Sequence, residues 1–96
     1  MKKYKILFSS TSLSDIDEAV EYYNKQSLGL GNKFLDNFAS FLKSINLNPR
    51  FASVKYDEIR YAAFKKFPFS VHYTLSTKNQ TVTIVAVFNT WKEPFW

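Results

Sequence analysis

The chain has 96 residues, a formal net charge of +5, 46% hydrophobic and 19% aromatic residues, and no cysteine. That length is one small domain, 1–96, so any site must sit on the core that holds the fold, and the composition excludes a disordered chain. Without cysteine there is neither a disulfide framework nor a thiolate zinc site, which fits a reducing, intracellular address.

The N-terminal "MKKYKILFSS" carries a short apolar run broken by Lys5. It fits neither a signal peptide nor a membrane span, and a cytoplasmic protein is expected. Tyr4 to Phe8 read as a short strand. "STSLSD" then supplies a helix start, with Ser14 as N-cap and Asp15, Asp17 and Glu18 at the positive end of the dipole. Ile16, Ala19, Val20 and Tyr23 recur at three and four residues and predict one buried stripe, ending near Gln26. "SLGLGN" holds both glycines of the chain and breaks the pattern. A second helix is expected from about Asn32, with Phe34, Leu35, Phe38, Phe41, Leu42 and Ile45 on its buried side, and Asn48-Pro49 stops it.

After Pro49 the period changes from 3.6 to 2. Strands are expected over Val54 to Asp57, Ile59 to Lys66, Phe69 to Ser76 and Thr81 to Phe88, with "STKNQ" as the last hairpin turn. The final run is nearly all apolar in its second half and predicts a central strand covered on both faces. Phe69 to Ser76 alternates cleanly, which predicts one less covered face carrying Ser70, His72, Thr74 and Ser76. Strand, two helices and then three or four strands make an α+β fold, β-α-α-β-β-β, with a helical hairpin on a mainly antiparallel sheet.

Several chemistries are excluded by the residues themselves. No Cys/His cluster offers a metal site, no glycine-rich loop with Lys-Ser/Thr offers a nucleotide site, and no serine sits in a nucleophile elbow, so neither metal nor cofactor is expected. Asp15, Asp17, Glu18 and Glu21 read as capping and solubility groups rather than a catalytic pair. The basic charge makes polyanions or an acidic protein partner the natural candidates for association.

"AVEYYNKQSLGLGNKFLDNF", then "NPRFASV", "IRYAAFKKFPFSVHYTL" and "VAVFNTWKEP" together resemble the RelE/ParE superfamily of bacterial toxins, over almost the whole chain. The resemblance implies the toxin of a type II toxin–antitoxin pair, held with a cognate acidic antitoxin in a hetero-oligomer. It leaves two mechanisms open. RelE-like members cut messenger RNA in the ribosome with cations on the exposed sheet face, which stabilise the pentavalent phosphate and move protons. ParE-like members are associated with poisoning DNA gyrase.

Measured against the RelE-like requirement, the sheet is poor in cations. Tyr61 and Ala63 stand where such nucleases carry lysines, and Ser70 stands where an arginine is common. The tail reads Asn89-Thr90-Trp91-Lys92-Glu93-Pro94 instead of His-x-x-Arg-x-Pro. Lysine at 92 keeps charge but loses the bidentate fork. If the chain were a nuclease, Arg60, Lys65, Lys66, His72 and Lys92 would be its candidates, although a lone strand histidine is more often a structural or surface group. Tyr61, Tyr73, Trp91, Lys92, Phe95 and Trp96 are the candidates for target or antitoxin binding. The reading is ParE-like and non-enzymatic; a RelE-like endoribonuclease and a degenerate toxin that keeps only antitoxin binding are its alternatives.

Overall fold

The structure is a computed structural model that describes residues 4–50, 52, 54–56, 58–63 and 67–89, without the side chains of Lys55, Tyr56 and Asn89. Strand β1 (Lys5–Phe8) leads into helices α1 (Ser10–Gln26) and α2 (Leu30–Leu47), followed by β2 (Val54–Tyr56), β3 (Ile59–Ala63), β4 (Phe69–Ser76) and β5 (Thr81–Asn89). The five strands form one sheet in the order β1-β5-β4-β3-β2. Only the β1–β5 pair is parallel, because the helical hairpin between β1 and the rest carries the chain back across the sheet. The α+β expectation therefore holds, with four strands after the helices.

Helix α1 starts one turn earlier than expected. Ser9, not Ser14, is the N-cap: its hydroxyl accepts from Ser12 N at 3.0 Å, and no acidic residue lies in the first turn. Ile16, Ala19 and Tyr23 are buried as predicted, and Ser12 joins them because its hydroxyl is satisfied by Ser9 O at 2.8 Å. The break is sharp. Gly29 has φ 84, the left-handed region that a side chain would strain, and it opens α2 at Leu30. Gly31 lets the helices close up: its N–H donates to Asn24 Oδ1 at 2.9 Å, and a Cβ there would meet that carboxamide at 2.7 Å.

On α2, Phe34, Phe38 and Ile45 are buried and Phe41 and Leu42 partly so, whereas Leu35 is exposed, contrary to its expected place on the buried side. At 100° per residue Leu35 falls at the margin of the arc set by Phe34, Phe38 and Ile45, in line with the partly buried Leu42. The core is aromatic. Tyr23 stands among Phe34, Phe67 and Phe69 with ring centroids 5.6, 4.9 and 5.8 Å away. Val71, Tyr73, Val82 and Ile84 complete it from the sheet.

Strand β4 corrects a further expectation. Both it and β5 are interior strands, and Phe69 through Tyr73 are buried on both faces, so the polar side of β4 is not the open face its alternation predicted. Polar alternation marks direction; coverage depends on neighbours that alternation does not specify.

Candidate functional site

The face of the sheet turned away from the helices is the place to look for the predicted site. Directly paired residues on adjacent strands share a face, so register sorts the candidates. Tyr61 pairs with His72, and Ala63 with Ser70. His72 pairs with Ala86, and Ser70 with Phe88. These six residues form one cluster on the outer face. Arg60 pairs with Tyr73 instead, on the helix side.

A register shift between His72 and Tyr73 shapes this cluster. Tyr73 pairs with Ile84 and His72 with Ala86, which leaves Val85 as the extra residue. The bulge resets the alternation of β5: Ile84 points to the core, and after it Val87 does, three residues on. Phe88 is thereby turned to the outer face.

His72 is fully buried in this cluster. Its imidazole meets the Tyr61 ring edge-on at 5.2 Å and 80°, and the Phe88 ring at 4.8 Å and 86°. Ser70 Oγ, also fully buried, lies 3.4 Å from His72 Nε2, at the long limit of a hydrogen bond. An imidazole closed off from solvent between aromatic rings is held to pack; proton exchange with a substrate would need the cluster to open. Among the described residues of β3, β4 and β5, no lysine or arginine shares this face.

Two predicted residues belong elsewhere. Tyr73, expected in binding, is fully buried in the core, where its hydroxyl donates to Pro49 O at 2.8 Å. Burial raises its pKa, against the opposing influence of the Arg60 charge and a hydrogen bond with the Ala52 backbone. Arg60, a candidate nuclease cation, donates through Nη1 to Ala52 O at 2.6 Å. Together they clamp the connection from α2 to β2, on the opposite side of the sheet from His72. Arg60 and His72 therefore cannot act on one phosphate. Tyr61 remains on the outer face, half-buried. Lys65, Lys66, Trp91, Lys92, Phe95 and Trp96 lie outside the described residues.

No group of three His, Asp or Glu side chains lies together as a metal site among the described residues, and no described helix is long and apolar enough to cross a membrane. What sequence reasoning missed are polar side chains that close the sheet. Asp15, read as a helix-capping group, accepts from Val87 N at 3.0 Å, and Ser9 Oγ donates to Val85 O at 2.7 Å. Asn46 bridges the main chain of Tyr4. The only sequence signal for Asn46 was a polar residue beside the apolar stripe of α2.

No protein-family profile matches the chain, and no curated protein matches it in sequence. Solved structures do match in fold. The chromosomal ParDE TA system from P. aeruginosa aligns with TM-score 0.77 at 12% identity, covering 91% of this chain and 96% of that one. The isolated E. coli RelE toxin aligns with TM-score 0.70 at 12% identity, covering 94% and 87%. The intact E. coli RelBE toxin-antitoxin complex aligns with TM-score 0.66 at 14% identity, covering 88% and 93%. At these identities the likeness is one of fold: the chain has the architecture of the RelE/ParE toxins.

Proposed function

We propose that this chain is the toxin of a type II toxin–antitoxin pair, that it acts in the ParE manner by binding DNA gyrase rather than by cutting RNA, and that a cognate acidic antitoxin neutralises it. The fold neighbours named ParDE and RelBE support the toxin–antitoxin part. One observation carries the choice of mechanism: the outer-face cluster consists of Tyr61, Ala63, Ser70, His72, Ala86 and Phe88. A phosphate needs cations beside it while the 2′-oxygen attacks and the 5′-oxygen leaves, and this cluster supplies none. At the rim of this cluster, half-buried Tyr61 and Phe88 and exposed Ala63 are suited instead to apolar contact with a protein partner, with the net charge of +5 steering the encounter.

Expression in bacteria tests the reading. The expected result is a DNA-damage response with ribosome-bound messages intact, relieved by co-expression of the adjacent gene's product. Messages cut at A-site codons, with cutting lost on Lys66→Ala or Lys92→Ala, would replace it with the nuclease reading.

A further inference from the structure

The helical hairpin carries an apolar seam on its solvent side. Gly31 N donates to Asn24 Oδ1 at 2.9 Å, which sets α1 and α2 side by side at that point. One turn away along each helix stand Val20 and Leu35, and seven residues further stand Leu13 and Leu42, so all four follow the line where the helices meet. Val20 and Leu42 are partly buried, whereas Leu13 is 51% and Leu35 38% exposed. Exposed Ala39 continues the row from Leu35. Ile16, Tyr23, Phe34 and Phe38 turn the opposite sides of both helices to the core, so the exposed part of the seam looks away from the sheet.

The charge beside this seam differs from that of the chain as a whole. Helix α1 carries Asp15, Asp17, Glu18 and Glu21 against Lys25, a net −3, and α2 carries Lys33 and Lys43 against Asp36, a net +1. The hairpin is therefore net −2 in a chain of net +5. An acidic segment or an anionic surface gains nothing by docking there. Asp17, Glu18 and Glu21 are exposed, and among the described residues no ion pair holds them. The complement of a negative α1 is a positive α2, and a second copy of the chain supplies one.

We infer that two copies of this chain associate through the seam, hairpin on hairpin, with α1 of one copy lying on α2 of the other. A twofold axis parallel to the helices gives this arrangement. It sets Leu13 against the partner's Leu42 and Leu35 against the partner's Val20, and it brings Glu21 level with the partner's Lys33. A twofold axis across the helices would lay α1 on α1 and oppose its carboxylates, so charge selects the first. Helices of 17 and 18 residues are about 25 Å long, and two of them side by side bury about 500 Å² per copy. That is less than the roughly 800 Å² per partner of a standard interface, so the association is weak and reversible. The outer sheet faces lie outside the contact, and the inference does not depend on the function proposed above.

Sedimentation equilibrium of the full chain in low salt tests this. The apparent mass is expected to climb from 11.2 kDa toward twice that value as concentration rises from about 10 μM to about 1 mM, the range of a small interface. Leu35→Glu, at an exposed position, should weaken association by about tenfold or more. Glu21→Lys should weaken it as well, and Lys33→Glu added in the same chain should restore it, a rescue that a damaged fold would not show. A chain that stays monomeric at millimolar concentration overturns the inference. So does a dimer indifferent to Leu35→Glu, which would place the contact on another surface. A monomeric chain whose complex with the adjacent gene's product is weakened by Leu35→Glu overturns it too, because the seam would then belong to that polypeptide.

Discussion

Asn46 holds both sides of the main chain of Tyr4: Tyr4 N donates to its Oδ1 at 2.8 Å, and its Nδ2 donates to Tyr4 O at 3.2 Å. One carboxamide thereby joins the C-terminal part of α2 to the first strand, across 42 residues of chain. Asn46→Ala removes both partners from partly buried groups, and a loss of about 1 to 3 kcal/mol is expected. Asn46→Asp keeps the acceptor and loses the donor, so it should fall between the two. Urea unfolding of the three proteins measures this; an alanine variant as stable as the parent would show that water replaces the bridge without penalty.

How far such contacts can be read from sequence differs by kind. The order of elements follows from periodicity, because a stripe such as Ile16, Ala19 and Tyr23 can be buried only on a helix, and Phe69 to Ser76 only on a strand. The helix start was misplaced because "SSTSLS" offers several serines as caps. Ser9 prevails because its hydroxyl serves Ser12 N and Val85 O together, and the second of these is a tertiary contact. The separation of Arg60 from His72 was available in principle: Arg60 and Tyr61 are adjacent in one strand and must face opposite ways. Which of the two faces is closed was not available, since the burial of Ser70 and His72 depends on Tyr61 and Phe88 arriving from other strands, the latter after a bulge.

Tyr23 presents an unmet polar group. It is 5% exposed, and its hydroxyl is the buried side-chain polar atom without a hydrogen-bond partner among the described residues. Tyr23→Phe keeps the ring among Phe34, Phe67 and Phe69 and removes the orphan, so stability should rise by about 1 kcal/mol. Alkaline pH gives a second readout. Burial first, and then neighbouring Tyr22, raise the Tyr23 pKa above its ordinary 10.0. The folded chain therefore holds this proton more tightly than the unfolded chain. The contribution is fully present below pH 10 and is lost as pH rises through the folded-state value. Stability profiles of parent and Tyr23→Phe should therefore move further apart in that alkaline window, the parent losing stability that the variant, which has no phenol there, retains.

Arg60 gives a test of structure against chemistry. Its bond to Ala52 O and the bond of Tyr73 to Pro49 O hold the same connection. Arg60→Ala should cost about 1 to 3 kcal/mol, and Tyr73→Phe a similar amount, with the double variant short of the sum because the two share that connection. Growth inhibition by Arg60→Ala should follow the folded fraction. A variant that melts with the parent yet no longer inhibits growth would return Arg60 to the functional surface.

His72 allows the sharpest separation of the two roles a buried histidine can have. Closed between Tyr61 and Phe88, with Ser70 Oγ at 3.4 Å, its side chain fills space on the outer face of the sheet's central strand. Removing that volume with His72→Ala leaves a cavity under two aromatic rings and should cost about 2 to 4 kcal/mol. Inhibition of growth should then fall only as far as the folded population falls, and cooling or a stabilising second change such as Tyr23→Phe should restore it. A proton-transfer role makes the opposite forecast. Activity would stay lost in His72→Ala even where circular dichroism shows the chain fully folded, and that result would reopen the nuclease reading with His72 at its centre.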